Sequence, residues 1–105
     1  GAPMAVAEDN TLPTHFELSQ NYPNPFNPTT TITYSLPENS DVRLAIYDIT
    51  GRQVATLVDQ SVQAGVHNLV WDATDVFGNK VASGIYYYRL QASDHVFTKK
   101  MMLVK

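Results

Sequence analysis

Residues 29–49 read TTTITYSLPENSDVRLAIYDI, and their alternation decides the fold. In the first half Ile32, Tyr34 and Leu36 alternate with Thr31, Thr33 and Ser35. In the second half Val42, Leu44 and Ile46 alternate with Arg43, Ala45 and Tyr47. A period of two sends successive side chains to opposite faces, so each half reads as a strand with one apolar and one wetter face. Between the halves, Pro37–Asp41 gathers Pro, Glu, Asn, Ser and Asp, and reads as a turn.

The pattern continues toward the C-terminus. Thr50–Gly51 predicts a tight turn, where Gly51 supplies a positive φ at no steric cost, and Arg52–Val58 returns as the second arm of a hairpin. Gln63–Gly65 turns again. Val66–Trp71 is the next strand, with Leu69 and Trp71 facing one way. Residues 72–84, DATDVFGNKVASG, form the longest irregular stretch, and Phe77 or Val81 is expected to plug the fold beneath it. Ile85–Ala92 is dense in aromatic and β-branched residues, which favour strands. After a short turn at Ala92–His95, Val96–Val104 makes the last strand, with Phe97, Met101 and Leu103 at one parity.

Toward the N-terminus lies NYPNPFNPTT, residues 21–30. Three prolines within six residues exclude a helix and a central strand, and each residue before a proline is pushed to extended geometry. The segment reads as a stiff surface corner, with Tyr22 and Phe26 pinning it to the core. His15–Gln20 allows a further strand with Phe16 and Leu18 on one face. Residues 1–13 read as a linker, with Gly1–Met4 as a cloning remnant. Six strands, a seventh near residues 15–19 and no amphipathic helix predict an all-β fold: an antiparallel immunoglobulin-like β-sandwich of about seven strands over residues 14–105. A β-barrel is the structural alternative.

Composition narrows the function. With 44% hydrophobic and 16% charged residues, the chain of 105 has the apolar content for one core and too little charge for whole-chain disorder. A formal charge of −3 argues against nucleic-acid binding, which needs a basic face to displace counterions. There is no cysteine, and so no disulfide, thiolate nucleophile or Cys-based zinc site. No segment approaches the ~18 apolar residues of a membrane span, and membrane insertion is not expected.

Signals for chemistry are weak. His15, His67 and His95 have no serine or aspartate placed beside them by any motif, and no GxSxG elbow exists, so no enzymatic activity is expected. Asp72, Asp75 and Asn79 crowd one loop, but their spacing is not that of an EF-hand, and Asp and Asn favour loops by bonding their own backbone. No cofactor is expected. Of the aromatics, Trp71, Tyr86 and Tyr88 are assigned to the core. Tyr87, Trp71 or Tyr47, if exposed on a flat sheet, could stack on sugar rings. Lys99 and Lys100 lie on opposite faces of the last strand, so one of them points inward unless the strand is an edge or bulged.

Four motifs in fixed order, NYPNPFNPTTTI (21–32), AIYDITGRQV (45–54), VASGIYYYRL (81–90) and TKKMMLVK (98–105), resemble the type A C-terminal sorting domain of the type IX secretion system. The resemblance covers about residues 18–105. It implies recognition positions at Tyr22, Pro23, Asn24, Pro25, Phe26, Asn27 and Pro28, at Asp48, Gly51 and Arg52, at Gly84 and Tyr86, and at Lys99 and Lys100. It also implies an N-terminal cargo domain, recognition by the outer-membrane translocon after passage through the periplasm, and a secreted or cell-surface destination. Removal by a sortase-like surface protease would fall in the linker before Phe16. The Ig-like domain of the flagellar hook-capping protein shares the strand pattern and the hairpin motif. A carbohydrate-binding module or a structural Ig-like spacer of a secreted enzyme is the alternative reading.

Overall fold

The computed structural model describes residues 12–105. Most of the expected linker lies outside the described residues. Seven strands follow in order: β1 (Glu17–Leu18), β2 (Thr30–Leu36), β3 (Ser40–Asp48), β4 (Gln53–Val62), β5 (Gly65–Trp71), β6 (Gly84–Ala92) and β7 (His95–Leu103). They form a three-stranded sheet of order β1-β2-β5 and a four-stranded sheet of order β4-β3-β6-β7, with every pairing antiparallel. This is the expected all-β sandwich, and no helix occurs among the described residues.

The alternation read from residues 29–49 is the alternation of burial. In β2 Thr30, Ile32, Tyr34 and Leu36 are buried, and the residues between them are half exposed. In β3 Val42, Leu44 and Ile46 face the core, as do Tyr86, Tyr88, Leu90 and Ala92 of β6 and Met101 and Leu103 of β7. Ala45 breaks the rule: it has outward parity but is buried. Its neighbours across the sheet are Thr56 and Arg89, and a single methyl is shaded by larger side chains on either side.

Two register shifts interrupt the pairing of β3 with β4, one between Leu44 and Ala45 and one between Ile46 and Tyr47. Each leaves one extra residue on β4, Leu57 in the first case and Val54 in the second. Val54 and Ala55 are consequently both buried, which strict alternation forbids. Bulges of this kind bend and twist a strand, and β4 is a sheet edge, where such distortion discourages unwanted pairing.

Two local expectations are corrected, and the choice between Phe77 and Val81 is decided. Tyr22 does not pin the proline segment to the core: it is 80% exposed, whereas Phe26 is 1% exposed. Phe77 does not plug the long loop, being 83% exposed; Val81 packs against the core instead. The N-terminal strand is only Glu17–Leu18, with Leu18 buried and Phe16 leaning on the core from outside.

Burial therefore ranks the two aromatic residues of the proline segment. Phe26→Ala is expected to destabilise the fold by about 3–5 kcal/mol through the cavity it leaves. Tyr22→Ala is expected to change stability by no more than about 0.5 kcal/mol. Urea denaturation of both variants checks this, and a larger loss from Tyr22→Ala would contradict the assignment.

Candidate functional site

The proline segment is built onto the last strand. Phe26 N–H donates to Met102 O (2.9 Å), and Val104 N–H donates to Phe26 O (3.0 Å). Phe26 and Leu103 thus form a short parallel bridge. Side chains extend the contact: Met102 N–H donates to Asn24 Oδ1 (2.9 Å), and Gln20 Nε2 donates to Lys100 O (2.8 Å). β7 is the edge of the four-stranded sheet, and these bonds occupy backbone groups that a bare edge would leave open.

A polar cluster beneath fixes the segment's approach. Tyr88 Oη donates to Ser19 O (2.7 Å) and accepts from Asn21 N–H (2.8 Å). Asn21 Nδ2 donates to Thr30 Oγ1 (2.9 Å) and to Pro23 O (3.2 Å), and Thr30 Oγ1 donates to Pro23 O (2.9 Å). Asn21 and Thr30 are buried, so these bonds satisfy groups that would otherwise be costly to remove from water. Phe26 then enters an aromatic cluster, 5.8 Å from Trp71, which is in turn 5.6 Å from Tyr86.

The hairpin motif is a self-capped turn. Asp48 Oδ1 accepts from Thr50 N–H (2.9 Å), Thr50 Oγ1 (2.6 Å) and Arg52 N–H (3.1 Å), and Asp48 pairs with Arg52 at 3.5 Å. The Thr50 hydroxyl, more than the Arg52 charge, holds the Asp48 carboxyl below its usual range. Gly51 has φ +89°, the left-handed conformation that glycine adopts without strain. Tyr86 stands opposite Asp48 in the β3–β6 register, and Gly84 stands opposite Leu103 in the β6–β7 register.

The four motifs therefore meet. Phe26 bridges Leu103, Leu103 pairs with Gly84, and Tyr86, two residues on, pairs with Asp48. All lie at the end of the sandwich where β3 and β7 finish and β6 begins. A cleft of about 590 Å³ opens there, bordered by Asp48, Arg52, Phe77, Lys80 and Tyr86. Val76, Phe77 and Ile49 are exposed around this end. Sequence reasoning missed those three as surface features, because it sought an apolar plug in the loop. Lys99 and Lys100 sit apart from the cluster, midway along β7 opposite Tyr88 and Tyr87. Lys100 is exposed, and Lys99 is half-buried on the inner parity, which the edge position of β7 accommodates.

The other candidates remain separate. Asp75 Oδ1 accepts from Phe77 N–H (2.9 Å) and Asn79 N–H (3.0 Å), and Asp72 Oδ1 accepts from Thr74 Oγ1 (2.5 Å), so these carboxylates brace their own loop. No three His, Asp or Glu side chains gather as metal ligands among the described residues. His95 stacks on Phe16 at 4.1 Å, and His67 stacks on Tyr34 at 5.3 Å. Of the aromatics named for sugar stacking, Trp71 is buried, and Tyr47 and Tyr87 are half exposed on the outer sheet face.

Residues 23–95 match the FlgD Ig-like domain family. Among solved structures, the chain is similar to latent PorU from Porphyromonas gingivalis, with a TM-score of 0.64 and 27% identity over 81% of this chain. It is similar in fold to PorZ, described as an essential surface component of the type IX secretion system of the same organism, with a TM-score of 0.56 and 22% identity over 86% of this chain. FlgD from P. aeruginosa matches 70% of this chain, with a TM-score of 0.55 and 28% identity. The chain spans 9% of PorU, 11% of PorZ and 58% of that FlgD. No curated protein matches the sequence.

Burial raises the Tyr88 pKa to about 12, with partial offset from the Asn21 N–H, and burial raises Tyr34 and Tyr86 in the same direction. A phenol whose folded pKa lies above its unfolded value of about 10 contributes stability that is complete below pH ~10 and is lost as pH rises through ~12. Stability is thus expected to fall between about pH 10 and 12. Tyr88→Phe should lower stability at neutral pH by about 1–3 kcal/mol, because Ser19 O and Asn21 N–H lose their partner, and should flatten the alkaline fall. Denaturant midpoints across that range test this; an equally steep fall in Tyr88→Phe would contradict it.

Proposed function

The chain belongs to the FlgD Ig-like domain family, and within it we propose that this member is a non-catalytic sorting module that directs a larger cargo protein through the outer membrane by type IX secretion. The observation that carries the reading is the convergence of the motifs. Segments as far apart in sequence as Asn24 and Met102 are bonded into one end of the sandwich. The upstream chain arrives at the opposite end, where Phe16 stacks on His95 at the start of β7. Nine strand residues separate the ends by roughly 30 Å, so a cargo domain upstream of Phe16 leaves the motif end free for a translocon.

The likeness to PorU, at 27% identity, supports the same reading. So does the character of the site. Its hydrogen bonds, such as those of Asp48 to Thr50 and Arg52, stiffen a surface, as a recognition tag requires. After translocation the domain would reach the cell surface, where a sortase-like protease could cut ahead of Phe16. The second reading is a structural assembly domain like that of the flagellar hook cap. The family match and the 28% identity to FlgD favour it.

The test is a secretion assay. A signal peptide and a fluorescent reporter are fused ahead of residues 14–105 and expressed in a bacterium with a working type IX system, and in a strain lacking the translocon. Reporter is expected at the surface or in the medium of the first strain only. Asn24→Ala, which removes the acceptor for Met102 N–H, should reduce export several-fold while the domain stays folded. Reporter held in the periplasm of both strains would overturn the sorting role and leave assembly as the reading. Truncation at residue 98 is not a useful variant, because it removes the buried Met101 and Leu103 and with them the fold.

A further inference from the structure

We propose that the outer face of the four-stranded sheet, centred on Arg89, binds an acidic polysaccharide through its carboxylate groups. The face gathers Arg43, Arg89 and Lys100 with Tyr47 and Tyr87, against Asp41 and Asp59, although the chain as a whole is acidic. Tyr47 of β3, Tyr87 of β6 and Lys100 of β7 stand in one row across the sheet, and Arg89 and Thr98 stand in the adjoining row. Arg43 Nη1 (3.3 Å) and Arg89 Nη2 (2.9 Å) both donate to Tyr47 Oη, and the Arg89 guanidinium lies 4.9 Å from the Tyr47 ring centroid.

Two guanidiniums thus converge on one neutral oxygen. Neither has a carboxylate within 4.0 Å among the described residues, where the one ion pair is Arg52–Asp48. Asp59 stands opposite Arg43 in the register without pairing to it. Arg43 is otherwise held by Gln53 Oε1 at 2.8 Å. Arg89 Nε is buried and has no hydrogen-bond partner, an exception to the rule that buried donors are satisfied. Two like charges held together without a carboxylate form a preorganised seat for an oxyanion, and the outer N–H groups of a guanidinium fit a carboxylate as a two-pronged donor.

The space beside this seat selects the ligand. A shallow cleft of about 370 Å³ is lined by Tyr47, Ile49, Gly51, Tyr87, Arg89 and Thr98. Asp48 also borders it, but that carboxylate is bound by Thr50 and Arg52. The volume is at the small end for ligand sites and suits a sugar unit. Tyrosine rings offer faces for pyranose stacking, and the Thr98 hydroxyl offers a partner to a sugar hydroxyl. The occupant is therefore a uronate-bearing glycan.

The test uses the full chain and oligogalacturonate, followed by nuclear magnetic resonance. Signals of Tyr47, Tyr87 and Arg89 are expected to shift with oligogalacturonate and not with a neutral glucan oligomer, and binding should weaken as salt rises. Arg89→Gln should weaken binding by about tenfold or more, as loss of a charge-assisted pair implies. Should that variant fail to fold, Arg43→Gln and Tyr87→Ala read the same loss from the other side chains of the seat and its cleft. Absence of shifts with oligogalacturonate, unchanged binding by the folded variants, or equally tight binding of polyglutamate would each overturn the assignment. Binding is read on the chain alone, so the result is independent of the sorting role.

Discussion

Two backbone hydrogen bonds at Phe26, one to Met102 O and one from Val104 N–H, hold the architecture of this domain together. They answer a general difficulty of sheets: an edge strand presents a row of unpaired donors and acceptors that recruit other strands. Here the edge is closed over its C-terminal half by a segment too rich in proline to become a strand itself. Proline lacks an N–H, so the segment can donate from its backbone only at the residues between prolines, and Phe26 is the one with both its backbone groups and its side chain turned inward.

Closing that edge has a cost in polar burial, and the Tyr88 cluster offsets it. Tyr88 reaches from β6 to the chain leading into the proline segment, and its single hydroxyl serves as both donor and acceptor. Asn21 and Thr30 complete the network around Pro23 O. A fully satisfied network of this kind specifies one approach of the segment, whereas hydrophobic contact alone would tolerate several. Rigidity at the motif end and aromatic packing below it are two consequences of the same arrangement. A stiff end is also what a partner can recognise at low entropic cost.

The two faces of the four-stranded sheet carry different chemistry because they meet different surroundings. The inner face is closed by the second sheet and holds Val42, Leu44, Tyr88 and Leu90. The outer face has no covering layer among the described residues, and there Arg43, Tyr47, Arg89 and Lys100 collect. The Arg–Tyr–Arg contact forms in an acidic domain where Asp48 is bound by its own turn and Asp41 by Ser61, and where Asp59, opposite Arg43, does not pair with it.

What the sequence determined by itself is the set of strands and the side of each that is buried. Alternation in residues 29–49, the density of aromatics in 85–92 and the turn residues between strands are local signals, and strand formation with one apolar face is a local response to them. The identities of the motif residues were also legible, through resemblance. Only the tertiary structure decided which strands are neighbours, with β5 leaving β4 to pair with β2 in the other sheet. It also decided that Phe26 and not Tyr22 turns inward, that Val81 and not Phe77 reaches the core, and that Asp48, Tyr86, Gly84, Leu103 and Phe26 share one end. The reason is physical. A period of two assigns each residue a face but not a partner. A proline-rich segment has no period at all, so its side chains take whichever space the long-range packing leaves.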